Sequence, residues 1–135
     1  MWCFTLRLQP GDDIKLHLDA EVRRRALGAV FVISAAGSLR QAALRYAGKP
    51  APTVTVADLE ILGLQGTLGS DAGSHLHASL ADESGTCLGG HVAEGCIVRT
   101  TAEVVLGVSS AEHYRRDLDP VTGFRELVVE DLPVE

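Results

Sequence analysis

Residues 73–91 run Gly-Ser-His-Leu-His-Ala-Ser-Leu-Ala-Asp-Glu-Ser-Gly-Thr-Cys-Leu-Gly-Gly-His and hold three of the chain's five histidines. His75 and His77 stand two residues apart in an alternating run, so a strand would point both at one face. Asp82-Glu83-Ser84-Gly85-Thr86 then has the composition of a hairpin turn. A three-residue loop of Glu83, Ser84 and Gly85, with Gly85 in the left-handed conformation, is a favoured geometry for such a turn. That loop pairs Asp82 with Thr86, Ser79 with Gly89 and His77 with His91, leaving His75 on the diagonal. A two-residue loop would slip the pairing by one and turn His91 to the other face. One register therefore gathers three imidazoles and the other separates them.

The chemistry of such a cluster is specific. Neutral imidazole is the commonest nitrogen ligand for zinc and similar divalent ions, and three histidines leave a fourth position for water or a ligand. A strand pair holds the ring nitrogens more rigidly than loops would. The plainer alternative is a set of polar residues on a half-buried sheet.

Composition bounds the rest. At 135 residues the chain suits one domain with a substantial core. Hydrophobic residues make up 46% but aromatics only 4%, so the core must be built from Val, Leu, Ile and Ala. Eighteen acidic residues against twelve basic ones give a formal charge of −6. That balance opposes a nonspecific nucleic-acid surface, which needs clustered cations to displace counterions. Cys3, Cys87 and Cys96 are odd in number and lack a Cys-x-x-Cys spacing, which fits reduced thiols in a cytoplasmic protein. Met1 to Arg7 lacks the basic leader and apolar run of a signal peptide. The apolar stretch from Ala26 to Gly37 is too short to span a bilayer, so a soluble protein without membrane association is expected.

Working outward from the histidines, Trp2 to Leu8 partly alternates and predicts a strand, which Pro10-Gly11 stops. Asp12 or Asp13 caps a helix of about 16 residues whose apolar face is Ile14, Leu18, Val22 and Ala26, with Gly28 ending it. Arg23-Arg24-Arg25 suits the negative end of that helix dipole. His17 has no partner spacing and is assigned a structural role. Ala29 to Ser34 predicts a central strand, Ala35 to Leu39 a tight turn of small residues, and Gln41 to Tyr46 another strand. Gly48 to Pro52 is a loop, Thr53 to Ala57 a short strand, and Glu60 to Leu68 a longer one whose glycines mark bulges or close backbone approach. Beyond the histidine hairpin, Ile97 to Val108 predicts a strand. Asp119-Pro120-Val121-Thr122-Gly123 joins a second hairpin between Tyr114–Asp117 and Phe124–Leu127, with His113 beside it on the surface. Residues 1–129 then form one domain and 130–135 a loose acidic tail. One principal helix against many strands makes the class α+β with a mainly antiparallel sheet. The chain contains no P-loop, no dinucleotide fingerprint after a strand and no nucleophile elbow.

Taken in series, Asp12-Asp13, Ser34 through Leu39, Glu60-Ile61-Leu62 through Gly66-Thr67-Leu68, His75-Leu76-His77 with Asp82 and Gly85, Gly89-Gly90-His91, and Thr100 through Val104 resemble the PPC domain, the plants-and-prokaryotes-conserved domain. The likeness covers almost the whole chain in the right order. It implies a compact α+β subunit that assembles as a homotrimer, with a fold similar to acetolactate decarboxylase. It also implies a divalent metal, zinc first, bound by His75, His77 and His91. Plant members of the family join this domain to AT-hooks that bind DNA. No Arg-Gly-Arg-Pro core occurs here, so tight DNA binding by this chain is not expected.

Two classes of function follow. The chain is either an oligomeric binding or regulatory module with a metal and room for a small-molecule ligand, or a metal-dependent enzyme, a lyase or hydrolase. The enzyme would need an acid or base near the metal. Glu103, Glu94 and Cys96 are the candidates, with Arg99 or Arg40 to steady an oxyanion, though no spacing brings any of them to the histidines. A DNA-binding protein ranks third.

Overall fold

The computed structural model describes residues 1–133 and contains one helix and eight strands among them. Strand β1 (Trp2–Leu8) leads into α1 (Ile14–Arg24), followed by β2 (Val30–Arg45), β3 (Thr53–Gly69), β4 (Gly73–Ala81), β5 (Cys87–Val92), β6 (Ile97–Val108), β7 (Glu112–Leu118) and β8 (Arg125–Asp131). The first six strands form one antiparallel sheet in the order β1-β6-β2-β3-β4-β5, and β7 and β8 pair separately as a hairpin. The expected α+β class with a mainly antiparallel sheet is the observed one.

Helix α1 begins where the sequence places it. Asp13 is the N-cap: one carboxylate oxygen accepts from the Leu16 N–H at 3.0 Å, and the other accepts from the Gly95 N–H at 2.7 Å, tying the helix start to the β5–β6 turn. Ile14, Leu18 and Val22 are buried against the sheet, and burying a leucine such as Leu18 is worth about 1.5–3 kcal/mol. The helix is shorter than expected, 11 residues, and Gly28 does not end it. Ala26, expected on the apolar face, is exposed and takes a left-handed φ of 52°. The Ala26 N–H donates to Arg23 O and the Leu27 N–H to Val22 O, a Schellman closure usually given to glycine. Two of the three arginines, Arg24 and Arg25, pair with Glu21, which their hydrogen bonds pull down to a pKa of about 2.

The sheet departs from the sequence reading at β2 and β3. Ala35 to Leu39 does not reverse the chain; β2 runs straight through it for 16 residues, with register shifts against β6 around Ser34, Leu39 and Gln41. The small residues bend the strand and let its neighbour close in: a Cβ on Gly37 would meet the carbonyl oxygen of Thr101. The two strands expected between Thr53 and Leu68 are likewise one, the 17-residue β3, bulged at Ile61/Gly63.

These long bent strands curl the sheet until β5 returns to β2, pairing Leu44 with Val92 and Arg45 with His91. The closed part encloses Leu39, Leu44, Leu59, Leu68, Leu80 and Val92, all almost fully buried. The chain thus covers much of its own core by curling. The outer face still exposes Ile33, Val54, Val56 and Leu62.

The second hairpin forms as expected, and β7 packs on β3. His113, expected as a surface residue, is half-buried: its Nε2 lies 2.9 Å from Asp71, and its ring fills the space beside Gly28. Glu130 and Asp131, expected in the loose tail, extend β8 and pair with His113 and Glu112. The Leu132 N–H donates to Ala111 O. Val134 and Glu135 of that tail lie outside the described residues. No helix among the described residues is long and apolar enough to cross a membrane.

Candidate metal centre

The β4–β5 turn takes the three-residue form. Gly85 has φ 76°, and the Asp82 N–H donates to Thr86 O at 3.0 Å. One Asp82 carboxylate oxygen accepts from the Ser84 and Thr86 N–H groups, both at 2.9 Å. Asp82 therefore holds the loop by local chemistry alone. The resulting register pairs Ser79 with Gly89 and His77 with His91.

His75, His77 and His91 come together accordingly. Ring centroids lie 5.0 Å apart for His75–His77, 5.2 Å for His75–His91 and 5.6 Å for His77–His91. The Nε2 atoms of His75 and His77 are 3.2 Å apart, and one nitrogen from each ring falls within 4.8 Å of the others. Two nitrogens bound to one tetrahedral zinc ion at ordinary bond lengths are separated by about 3.3 Å. The first pair already has that spacing, and ring rotation would bring in the third. The donor set fits a divalent ion such as zinc.

Electrostatics favour the ligating form of the rings. Burial holds His75 below its ordinary pKa, helped by the charges of His77, Arg116 and Arg45 and opposed by Glu126. Burial does the same for His91, with Arg45, the other two histidines and Lys15 adding to it. Both rings are therefore neutral at neutral pH, as coordination requires.

Neighbouring strands set the floor of the site. Gln65, Gly66 and Thr67 of β3 face His77, Leu76 and His75, and a cleft of about 220 Å³ opens between Gln65–Thr67 and the first two histidines. Gly66 has φ 146°, and a Cβ there would overlap the carbonyl oxygen of His75, so glycine lets β3 approach β4 at His75. On the other side, a groove of about 650 Å³ runs from His75 and His91 to the β7–β8 hairpin. Arg45, Lys49 and Ser74 line one wall, and Arg116, Phe124 and Glu126 the other.

None of the acid–base or oxyanion candidates taken from the sequence borders either cavity. Cys96 is buried, its thiol donates to Ala43 O at 3.5 Å, and burial raises its pKa. Arg99 pairs with Asp58 at 3.2 Å. Glu103 sits in the sheet opposite Arg7 and Ala36. Glu94 and Arg40 are exposed elsewhere. The ionisable groups that share the groove with His75 and His91, namely Arg45, Lys49, Arg116, Arg125 and Glu126, come from the end of β2, the loop after it and the second hairpin. The only local signal for them was the basic content of that hairpin, because their placement depends on which distant strands meet.

The sequence model of the Plants and Prokaryotes Conserved (PCC) domain matches residues 2–110, which include all three histidines. A bifunctional protein GlmU from a Synechococcus strain is 46% identical over 127 residues, 94% of this chain but 20% of that protein. The chain thus spans about a fifth of the length of the curated relatives it matches. A hypothetical protein from Salmonella has the same structure at TM-score 0.93 and 38% identity, the match covering 96% of this chain and 94% of that one. A metal-containing protein from Archaeoglobus fulgidus superposes at TM-score 0.78 and 25% identity, over 95% and 94% of the two chains. Fold and domain match agree with the PPC resemblance drawn from the motifs, and the chain belongs to the Plants and Prokaryotes Conserved domain family.

Proposed function

We propose that this chain is a metal-binding module in which His75, His77 and His91 hold one divalent ion, zinc first, and that it serves as an oligomeric binding or regulatory domain for a small-molecule ligand. The convergence of three ring nitrogens within 4.8 Å on one strand pair carries the reading. The Archaeoglobus fulgidus relative, described as metal-containing, supports it. Elemental analysis of the purified protein should find about one ion per chain, lost in His77→Ala, on the three-ligand logic of zinc sites. Full retention of the ion after all three histidines are replaced by alanine would refute the assignment.

The second reading is a metal-dependent enzyme, favoured by one observation: the groove beside the histidines carries a carboxylate, Glu126. A bound ion would polarise a carbonyl or activate water there. Glu126 would hold or deliver the proton, a role no sequence candidate is placed to fill. A Glu126→Gln variant that keeps its metal but loses turnover on a screened substrate would support the enzyme; unchanged turnover would remove Glu126 from it.

The homotrimer remains part of the proposal. Its support is the exposure on β2 and β3 of large apolar side chains, Val54 at 60% and Val56 at 77% with Ile33 and Leu62, which closed symmetry would cover. Light scattering should give three times the 14.3 kDa chain mass, and a monomeric mass would refute it. Tight duplex DNA binding is not part of the proposal, given the −6 charge. A tight, salt-sensitive complex with AT-rich DNA would contradict this.

A further inference from the structure

We propose that the groove between the histidine cluster and the β7–β8 hairpin binds a small organic anion, with its carboxylate or phosphate on Arg45, Lys49, Arg116 and Arg125 and a second donor atom turned toward the metal. The inference rests on the metal reading above and names the ligand class of that site.

Four of the chain's twelve basic side chains line this one groove, although the chain as a whole carries −6. Glu126 is the one carboxylate among the lining residues. None of the four cations is in an ion pair among the described residues, whereas Lys15, nearby on α1, is held by Asp19 at 2.9 Å. Two of the guanidinium groups are positioned by neutral oxygens. Arg116 donates to Thr67 Oγ1 at 3.4 Å, and Arg125 donates to the Arg116 carbonyl at 2.6 Å. Each thereby spends one N–H of five and is left without a direct ion-pair partner among the described residues. Four cations against the single carboxylate of Glu126 leave the groove with a net positive field that favours entry of an anion.

The arrangement is a consequence of the fold. Arg45 and Lys49 come from the end of β2 and its loop, and the Arg45–His91 pairing sets the first of them beside the ligand strand. Arg116 and Arg125 come from the second hairpin across the groove. A volume of about 650 Å³ lies in the size range of sites for small molecules. Guanidinium groups suit carboxylate and phosphate through paired N–H donors. A ligand with an acidic group on one side and an oxygen or nitrogen donor on the other spans both halves of the site.

The test is isothermal titration of inorganic phosphate, and separately of glycolate, into the zinc-loaded full chain at constant ionic strength, with chloride as the blank. Saturable binding is expected, weakened about ten-fold or more when Arg45→Gln and Arg116→Gln are combined, because charge-assisted hydrogen bonds are lost. The two probes distinguish a phosphate-bearing from a carboxylate-bearing ligand. Arg99→Gln, on the outer face and paired with Asp58, should leave both affinities unchanged. Zinc content is measured on every sample. Loss of anion binding with the ion retained locates the effect in the groove. Should the double variant fail to fold, Arg45→Gln alone and the charge-preserving Arg116→Lys decide, the first weakening phosphate and the second retaining most of its binding. Equal affinity in wild type and variants, or no saturable binding of either probe to the zinc-loaded chain, overturns the inference while leaving the metal site standing. If the wild type takes up no zinc, the metal reading fails by itself, and the same titrations on the metal-free chain decide the arginines.

Discussion

Replacing Gly66 with alanine should loosen the histidine cluster from beneath. The residue has φ 146°, and an L side chain held in such a sparsely populated region costs about 1–3 kcal/mol. The new Cβ would also overlap the His75 carbonyl oxygen and approach the His75 carbonyl carbon and Leu76 Cα at 2.9 and 3.0 Å. Both strands are backbone there, so neither can step aside as a flexible side chain would. Overpacking of this kind costs about 1–3 kcal/mol more. The sum, about 2–6 kcal/mol, is a large share of the 5–15 kcal/mol that stabilises a typical domain. At this chain length Tm should fall on the order of 10 °C. Gly85→Ala is the control: φ there is 76° but the Cβ meets open space, so only the left-handed penalty of about 1–2 kcal/mol applies. The assay is thermal and denaturant unfolding of the metal-free proteins, followed by zinc titration of each. Because β4 must move at His75, zinc affinity should fall in Gly66→Ala and hold in Gly85→Ala. Equal destabilisation by the two substitutions would refute the close-approach argument.

Three further outcomes are expected. Ala26→Gly, relieving the left-handed alanine at the end of α1, should stabilise the protein by about 0.5–1 kcal/mol, read as a higher denaturant midpoint with unchanged slope. Metal binding should be intact at pH 7 and weaken only once the pH falls past the pKa values of His75 and His91, which burial holds below the ordinary 6.5. In the metal-free protein the same sign holds. The unfolded chain takes up protons first as the pH drops through 6.5, so acidification weakens folding, and a weakening of zinc binding on raising the pH from 6 to 7 would contradict the scheme. Alkylation by iodoacetamide should modify the exposed Cys3 and Cys87 quickly and the buried Cys96, its thiol pKa raised, only on unfolding; mass spectrometry of the native protein would reveal any early reaction at Cys96.

The histidine triad was legible because the turn and strand alternation that set its register lie within 19 consecutive residues. Asp82 and Gly85 set the turn through their own side chain and backbone, and period-two alternation carries that register back to His77 and His75. The helix start was legible for the same reason, since Asp13 caps a segment next to it. The helix end was not: Gly28 is the better local stop signal, yet the chain must turn at Ala26 to let Leu27 and Gly28 meet the Ser70 and Tyr114 N–H groups. Composition likewise misled at Ala35–Leu39, where small residues serve a close strand crossing rather than a reversal.

What local chemistry alone could specify was thus the register of one hairpin, the cap of one helix and the identity of three candidate ligands. Whether those histidines face empty solvent or a charged groove depended on charged partners 25 or more positions away in the chain. Arg45 reaches His91 because two overlong strands bend until β5 closes on β2, and Arg116 reaches the groove because β7 packs on β3. Such pairings are selected by the burial of one shared core, Leu39, Leu44 and Leu68 among it, and that burial is a property of the whole fold. A residue's neighbours along the chain carry its turn and capping preferences. They carry no record of which distant strand will lie beside it.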